Sequence, residues 1–326
     1  MNGRNSEAGL QSEQDFLHLI DAYFPREHRS VALGRGDDCA VLSCPPCLCL
    51  STDLFLEDVH FRRRYFSPED IGYKGLAVNV SDIAAMGGRP LGFSLGLMIP
   101  PDLDATFFAP FFKSMSRLCA DLDLSLTGGD LSRADRLGLS VTIWGEPPAG
   151  GNFLTRQGCT PGDMLAFCGP VGLARTGLLV LEEYGNPARF PRAVQHFFRP
   201  PILVDQGMQL AGSNRVKAMM DVSDGLATDL PRLLGSLGME VTMTESDLDP
   251  EVVQAARDRS ADPVEFALLG GEDYALLFAL SETDLDRVRK EVDFTILGRV
   301  TSDPLFRRHG RPMNLRGFDH FNGKRS

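Results

Sequence analysis

The chain has 326 residues, 43 % of them hydrophobic and 24 % charged, which is enough for two domains with sizeable cores. Its formal net charge of −11 excludes a nucleic-acid surface built on clustered Lys and Arg, and obliges any anionic substrate to find metal ions or a few local cations. Residues 1–14 are polar, without the apolar core of a signal peptide, and no apolar run nears the roughly 20 residues of a membrane-spanning helix, so a soluble cytoplasmic protein with no nucleic-acid or membrane partner is expected.

Residues 12–24 read as a helix, with Ser12 and Asp15 in capping-box spacing and Phe16, Leu17, Leu19, Ile20, Tyr23 and Phe24 as its apolar face. A glycine-flexed turn around Gly34 and Gly36 carries Asp37-Asp38 and leads into a strand. A second strand over residues 48–53 ends in Ser51-Thr52-Asp53. Ser67-Pro68-Glu69-Asp70 starts a helix running to about Met86, with Asn79 and Asp82 on one face, open to either a polar site or a solvated stripe. Strands over 91–99, 124–130 and 137–144 and a helix over 105–122 follow. The cluster Pro147-Pro148-Ala149-Gly150-Gly151 is the best boundary, giving domains 1–148 and 149–326.

Beyond the boundary, a strand over 163–168 precedes a helix over 173–183, irregular chain over 184–201 and a helix from about Ile202. Met219-Met220 ends a buried strand, and Asp221-Val222-Ser223-Asp224-Gly225 forms a turn into another helix. Two acids and a hydroxyl there suit magnesium, although Ser223 or Asp224 as a plain N-cap is the commoner role of such residues. Gly270-Gly271-Glu272-Asp273 leads to a strand over 275–280, a helix near 282–291 and a strand over 294–300.

Seven cysteines without an export signal argue against a disulfide framework. The Cys44–Cys47–Cys49 spacing invites a metal or redox role, but no second Cys pair or nearby His completes a zinc set, and strand alternation accounts for Cys47 and Cys49. Cys39, Cys119, Cys159 and Cys168 read as small core residues.

Six places share one design, an acid at a strand end, turn or small-residue helix with glycine or a hydroxyl beside it: Asp37-Asp38, Ser51-Thr52-Asp53, Ser81-Asp82, Gly129-Asp130, Asp221-Ser223-Asp224 and Glu272-Asp273. Glycines let backbone approach phosphate oxygens, and acids hold the magnesium that neutralises them. Neither a Walker-type loop nor the protein-kinase motif set is present.

This ordered set, with residues 74–87 and Gly270-Gly271-Glu272-Asp273-Tyr274, closely resembles the thiamine-monophosphate kinase family, within the superfamily of aminoimidazole ribonucleotide synthase and selenophosphate synthase. The resemblance implies a two-domain α/β (α+β) fold, with an amino-terminal sheet at a homodimer interface, a carboxy-terminal α/β domain and sites in the cleft. It implies magnesium-dependent transfer of the ATP γ-phosphoryl group to thiamine monophosphate, giving thiamine diphosphate and ADP. It places magnesium on Asp38, Ser51, Thr52, Asp53, Asp82, Asp130, Asp221 and Asp224, ATP on Gly129, Asp130, Arg156 and Ser223, and the acceptor on His60, Glu272 and Phe318. The sequence departs from the family pattern at the acidic pair Glu57-Asp58 and at Ala174, where serine is expected. The rival readings are another ATP-dependent synthase of the superfamily and a catalytically idle nucleotide-binding protein.

Overall fold

The computed structural model of the chain describes Leu10 and residues 12–313. Two compact units emerge: the first holds the residues up to Asn79 with Pro90–Glu146, the second Val80–Arg89 with the residues from Pro147 onward. A helix contributed to both is why the division is not a single cut. Among the described residues, no helix is long and apolar enough to cross a membrane.

The first unit contains α1 (Glu13–Tyr23), β1 (Val31–Leu33), β2 (Val41–Leu42), β3 (Cys49–Leu56), the start of α2 (Pro68–Ala85), β4 (Arg89–Ile99), α3 (Ala105–Leu122), β5 (Ser125–Arg133) and β6 (Gly138–Glu146). The capping box forms as the sequence dictates: the Asp15 N–H donates to Ser12 Oγ and the Ser12 N–H to Asp15 Oδ2. Four strands assemble in the order β3-β6-β4-β5, with β3 antiparallel to β6 and β4 parallel to β5, while β1 and β2 pair separately. The core rests on aromatic rings. Phe108, Phe111 and Phe112 of α3 are fully buried, and Phe16 and Phe24 meet Phe108 and Phe112 edge to face at 5.1 and 6.1 Å. Each such ring contributes about 1.5–3 kcal/mol on burial.

The second unit contains β7 (Met164–Cys168), α4 (Leu173–Leu179), α5 (Pro191–Phe198), α6 (Val204–Gly212), β8 (Val216–Asp221), α7 (Leu226–Leu234), β9 (Gly238–Val241), α8 (Pro250–Asp258), α9 (Pro263–Leu268), β10 (Leu276–Leu280), α10 (Leu285–Val288), β11 (Thr295–Thr301), β12 (Phe306–Arg308) and β13 (Arg311–Pro312). Its seven strands follow the order β13-β12-β9-β11-β7-β10-β8 and are antiparallel except for β9 with β12. β7 and β10 are buried at every position, so they read as continuous apolar runs rather than alternating ones.

Several sequence expectations change. Residues 184–201, expected to be irregular, include α5, because Pro191 sits at a first helical turn and Ala193, Val194 and Phe197 form a buried face. The helix near 282–291 shrinks to a 3₁₀ turn and α10. Cys39 is exposed and Cys159 half-buried, while Cys119 and Cys168 are buried; none of the seven cysteines is in a disulfide among the described residues. Cys47 lies ahead of β3 and is exposed, so strand alternation does not explain it. The solvated-stripe alternative for Asn79 fails. Asn79 is fully buried, its amide donates to the Gly75 carbonyl at 3.0 Å, and its Oδ1 has no hydrogen-bond partner among the described residues.

Candidate active site

Among the described residues strand β8 lies at one edge of its sheet, pairing as a strand with β10 alone, and it ends at Asp221, opposite Leu276. The pairing does not stop with the strands. The Val222 N–H donates to the Ala275 carbonyl (2.8 Å), the Tyr274 N–H to the Val222 carbonyl (2.9 Å) and the Glu272 N–H to the Ser223 carbonyl (2.6 Å). Glu272 and Tyr274 adopt left-handed φ of 63° and 52° within this pairing, the kind of backbone strain that collects at functional sites. Gly225 has φ +98°, and a Cβ there would sit 2.6 Å from the Gly270 carbonyl oxygen, so only glycine closes this turn. Ser223, Asp224 and Glu272 are thereby brought together beside Asp221. Gly225 caps α7 and no side chain does, so the plain N-cap role for Ser223 or Asp224 is overturned.

The last turns of α2 supply Ser81 and Asp82 to the same place. Ser81 Oγ donates to Asp221 Oδ2 at 2.9 Å. Burial first, and then the charge of Asp82, hold the Asp221 carboxyl well above the usual carboxylate range, the Ser81 hydrogen bond acting the other way. Arg156 opposes that rise weakly from the segment whose Thr155 carbonyl accepts the Met219 N–H. Among the described residues, no three His, Cys, Asp or Glu side chains converge into a closed metal cage. The donor set still fits magnesium, which takes one or two protein carboxylates and leaves its other positions to water and phosphate. Two mutually repelling carboxylates with a hydroxyl beside them are such a set.

Four further side chains support this region, and of these the sequence had marked only Asp273, as one of the six acid places. Asp229, fully buried on α7, accepts the Asp224 N–H at 3.1 Å, and Arg232 reaches both Asp224 and Asp229. Burial and the Asp224 charge push Asp229 up to about 6, with Arg232 acting against them. Asp273, also fully buried, accepts the N–H groups of Gly172 (2.5 Å) and Ala174 (2.9 Å), and His196 Nε2 lies 3.5 Å from its Oδ1. An i,i+3 Asp–Arg pair on a helix was a readable signal for the first pair; no sequence signal marks Asp273 as the anchor of a turn some hundred residues earlier.

The first unit holds the remaining expected residues. Asp38 is exposed between β1 and β2, its N–H on Asp37 Oδ1. Ser51, Thr52 and Asp53 lie on edge strand β3 opposite Ile143, Thr142 and Val141, with the Thr52 and Thr142 hydroxyls 2.8 Å apart. Asp130 is exposed on β5 and accepts from Ser132 Oγ at 2.9 Å. Gly129 has φ +157°, and a Cβ would fall 1.8 Å from the Leu95 carbonyl oxygen. His60 accepts the Leu56 N–H on Nδ1 and stacks on Phe55 at 5.9 Å. The acidic pair before it is absorbed locally: Glu57 binds Arg63 and the Leu137 N–H, and Asp58 pairs with Arg136. Phe318 lies outside the described residues.

The chain matches two family descriptions, "AIR synthase related protein, N-terminal domain" over residues 36–146 and the corresponding C-terminal domain over residues 160–310. It is 35 % identical to the thiamine-monophosphate kinase of Escherichia coli (strain K12) over 324 residues, spanning 93 % of this chain and 97 % of that one. It is 33 % identical to that of Aquifex aeolicus (strain VF5) over 291 residues, spanning 88 % and 92 %. The solved structure of AaThiL complexed with AMPPCP and TMP is similar with a TM-score of 0.74 at 28 % identity, covering 98 % of this chain and all of that one.

Proposed function

Because the chain belongs to the thiamine-monophosphate kinase family, we propose that its acids serve direct, magnesium-dependent, in-line transfer of the ATP γ-phosphoryl group to thiamine monophosphate. The enzyme is an ATP-dependent phosphotransferase yielding thiamine diphosphate and ADP. The observation that carries the site assignment is the buried Asp221 carboxylate, fixed by Ser81 and facing the charge of Asp82.

A phosphate-monoester acceptor has its second pKa near 6, so it reaches the enzyme largely as a dianion and needs no general base. Magnesium, when bound, would supply the positive charge that offsets repulsion between the two phosphate groups. In the second unit Asp82, Asp221 and Asp224 would hold it, and in the first unit Asp38, Ser51, Thr52, Asp53 and Asp130 would. Ser81 orients Asp221. Gly129, Asp130, Arg156 and Ser223 are assigned to ATP, and His60, Glu272 and Phe318 to the acceptor. The test is an assay of the full chain with ATP, magnesium and thiamine monophosphate, the thiamine phosphates being resolved by chromatography. Thiamine diphosphate that forms with magnesium and stops on chelation supports the reading; ADP without thiamine diphosphate refutes the acceptor.

We further propose a cytoplasmic homodimer. Seven cysteines with no disulfide among the described residues suit a reducing compartment. Edge strand β3 exposes Leu50 and Leu54 at 66 % and 51 %, a hydrophobic edge that soluble proteins ordinarily cover. A second copy of the chain is the occupant the resemblance implies. Leu54→Glu is expected to shift the protein from dimer to monomer in light scattering coupled to size exclusion; an unchanged mass would remove β3 from the interface.

A further inference from the structure

Asp224 is held from two sides by one helix. Its N–H donates to Asp229 Oδ2 at 3.1 Å, and its Oδ2 lies 2.5 Å from Arg232 Nη1. The same Nη1 lies 2.9 Å from Asp229 Oδ1. One guanidinium nitrogen therefore stands between two carboxylates, where charge neutralisation is required. The three side chains differ in freedom: that of Asp229 is fully buried, while those of Asp224 and Arg232 are 24 % and 45 % exposed. Asp229 cannot follow a departing partner; Asp224 and Arg232 can part by side-chain rotation alone.

We propose that Arg232 is a positioning residue and internal counter-ion for Asp224: it holds that carboxylate in the metal-free protein, yields it to a divalent cation, and remains on Asp229. This rests on the reading of Asp224 as a magnesium ligand. The Asp229 contact to the Asp224 N–H keeps the backbone in place during the exchange, so only one ion-pair contact is traded for another. A partly exposed ion pair of this kind is weak, so the competition it sets up is a few-fold effect on metal affinity.

The experiment is titration of the metal-free full chain with Mn²⁺, the paramagnetic stand-in for magnesium, read by electron paramagnetic resonance. Asp224→Asn should lose one of the wild-type Mn²⁺ sites. Arg232→Gln should bind at that site about threefold more tightly, and Arg232→Lys should stay near wild type. Asp229→Asn keeps an acceptor for the Asp224 N–H but leaves Arg232 wholly to Asp224, so it should weaken the site about threefold. A purely structural role for the trio would weaken binding in both Arg232→Gln and Asp229→Asn, and that result overturns the inference, as does an unchanged affinity. If Asp224→Asn binds as many ions as wild type, Asp224 is not a ligand, and it is the underlying reading that fails. Melting curves establish that each variant is folded; should Arg232→Gln not fold, the Asp229→Asn shift and its sign decide.

Discussion

Asp221→Asn should lower turnover of thiamine monophosphate by about a thousandfold or more while leaving the metal-free protein at least as stable as wild type. The two halves of this expectation share one cause. The Asp221 carboxylate is 3 % exposed and faces the charge of Asp82, so in the absence of a cation its ionised form is disfavoured by desolvation and by repulsion. An amide of the same shape removes both penalties and still accepts from Ser81 Oγ through its remaining oxygen. What it forfeits is the negative charge that would hold magnesium beside the phosphates. Melting in chelator and turnover in magnesium should therefore move in different directions. A variant that loses activity and melts several degrees lower would show Asp221 to be a structural group instead.

Asp273→Ala should cost roughly 2–5 kcal/mol of folding free energy. Asp273 is fully buried and its two oxygens accept the N–H groups of Gly172 and Ala174, which open α4. The helix has no cap from its own first residue, since Gly172 carries no side chain, so the anchor comes from the far loop. Truncation leaves two buried donors without partners and exposes His196 to a cavity. Asp273→Asn should recover only part of the loss, because its amide nitrogen turns one acceptor into a donor aimed at another donor. Urea unfolding measures both. A cost below about 0.5 kcal/mol for the alanine variant would mean that the two N–H groups are satisfied otherwise.

Much of the candidate site was legible because its residues are close in sequence. Asp221, Ser223 and Asp224 sit in four consecutive residues, and Gly270-Gly271 marks a close backbone approach, with Gly271 against Ser223 and Asp224 and the Gly270 carbonyl against Gly225. The Ser67-Pro68 start gave α2 within a residue of its observed bounds, since the signals for a helix start are short-range. What escaped depends on distant partners. Asp273 is one residue from Glu272 and looks like its equal, yet the N–H groups of Gly172 and Ala174 take it into the core. Residues 235–267 offered no motif, and β9 and α8 within them, with α9 that begins there, are defined by burial in a core that the sequence does not display. Cys39 differs in the opposite sense: it reads as a small core residue but is exposed in the short loop between β1 and β2.

The pairing that runs past β8 and β10 through Val222, Ser223, Glu272 and Tyr274 has a kinetic consequence. Ligand-bearing segments are usually drawn from the least protected backbone of a protein, open on their own, and set the pace of turnover by doing so. Here the main chain of Val222 and Ser223 is hydrogen-bonded to that of Glu272, Tyr274 and Ala275 just past the paired ends of β8 and β10, so it opens only when the edge of the sheet does. Motion around these residues is left to side-chain rotation, which runs on picosecond-to-nanosecond times rather than the microseconds of a loop. The second unit thus offers the groups proposed to meet phosphate on a frame that is already set before any ligand arrives.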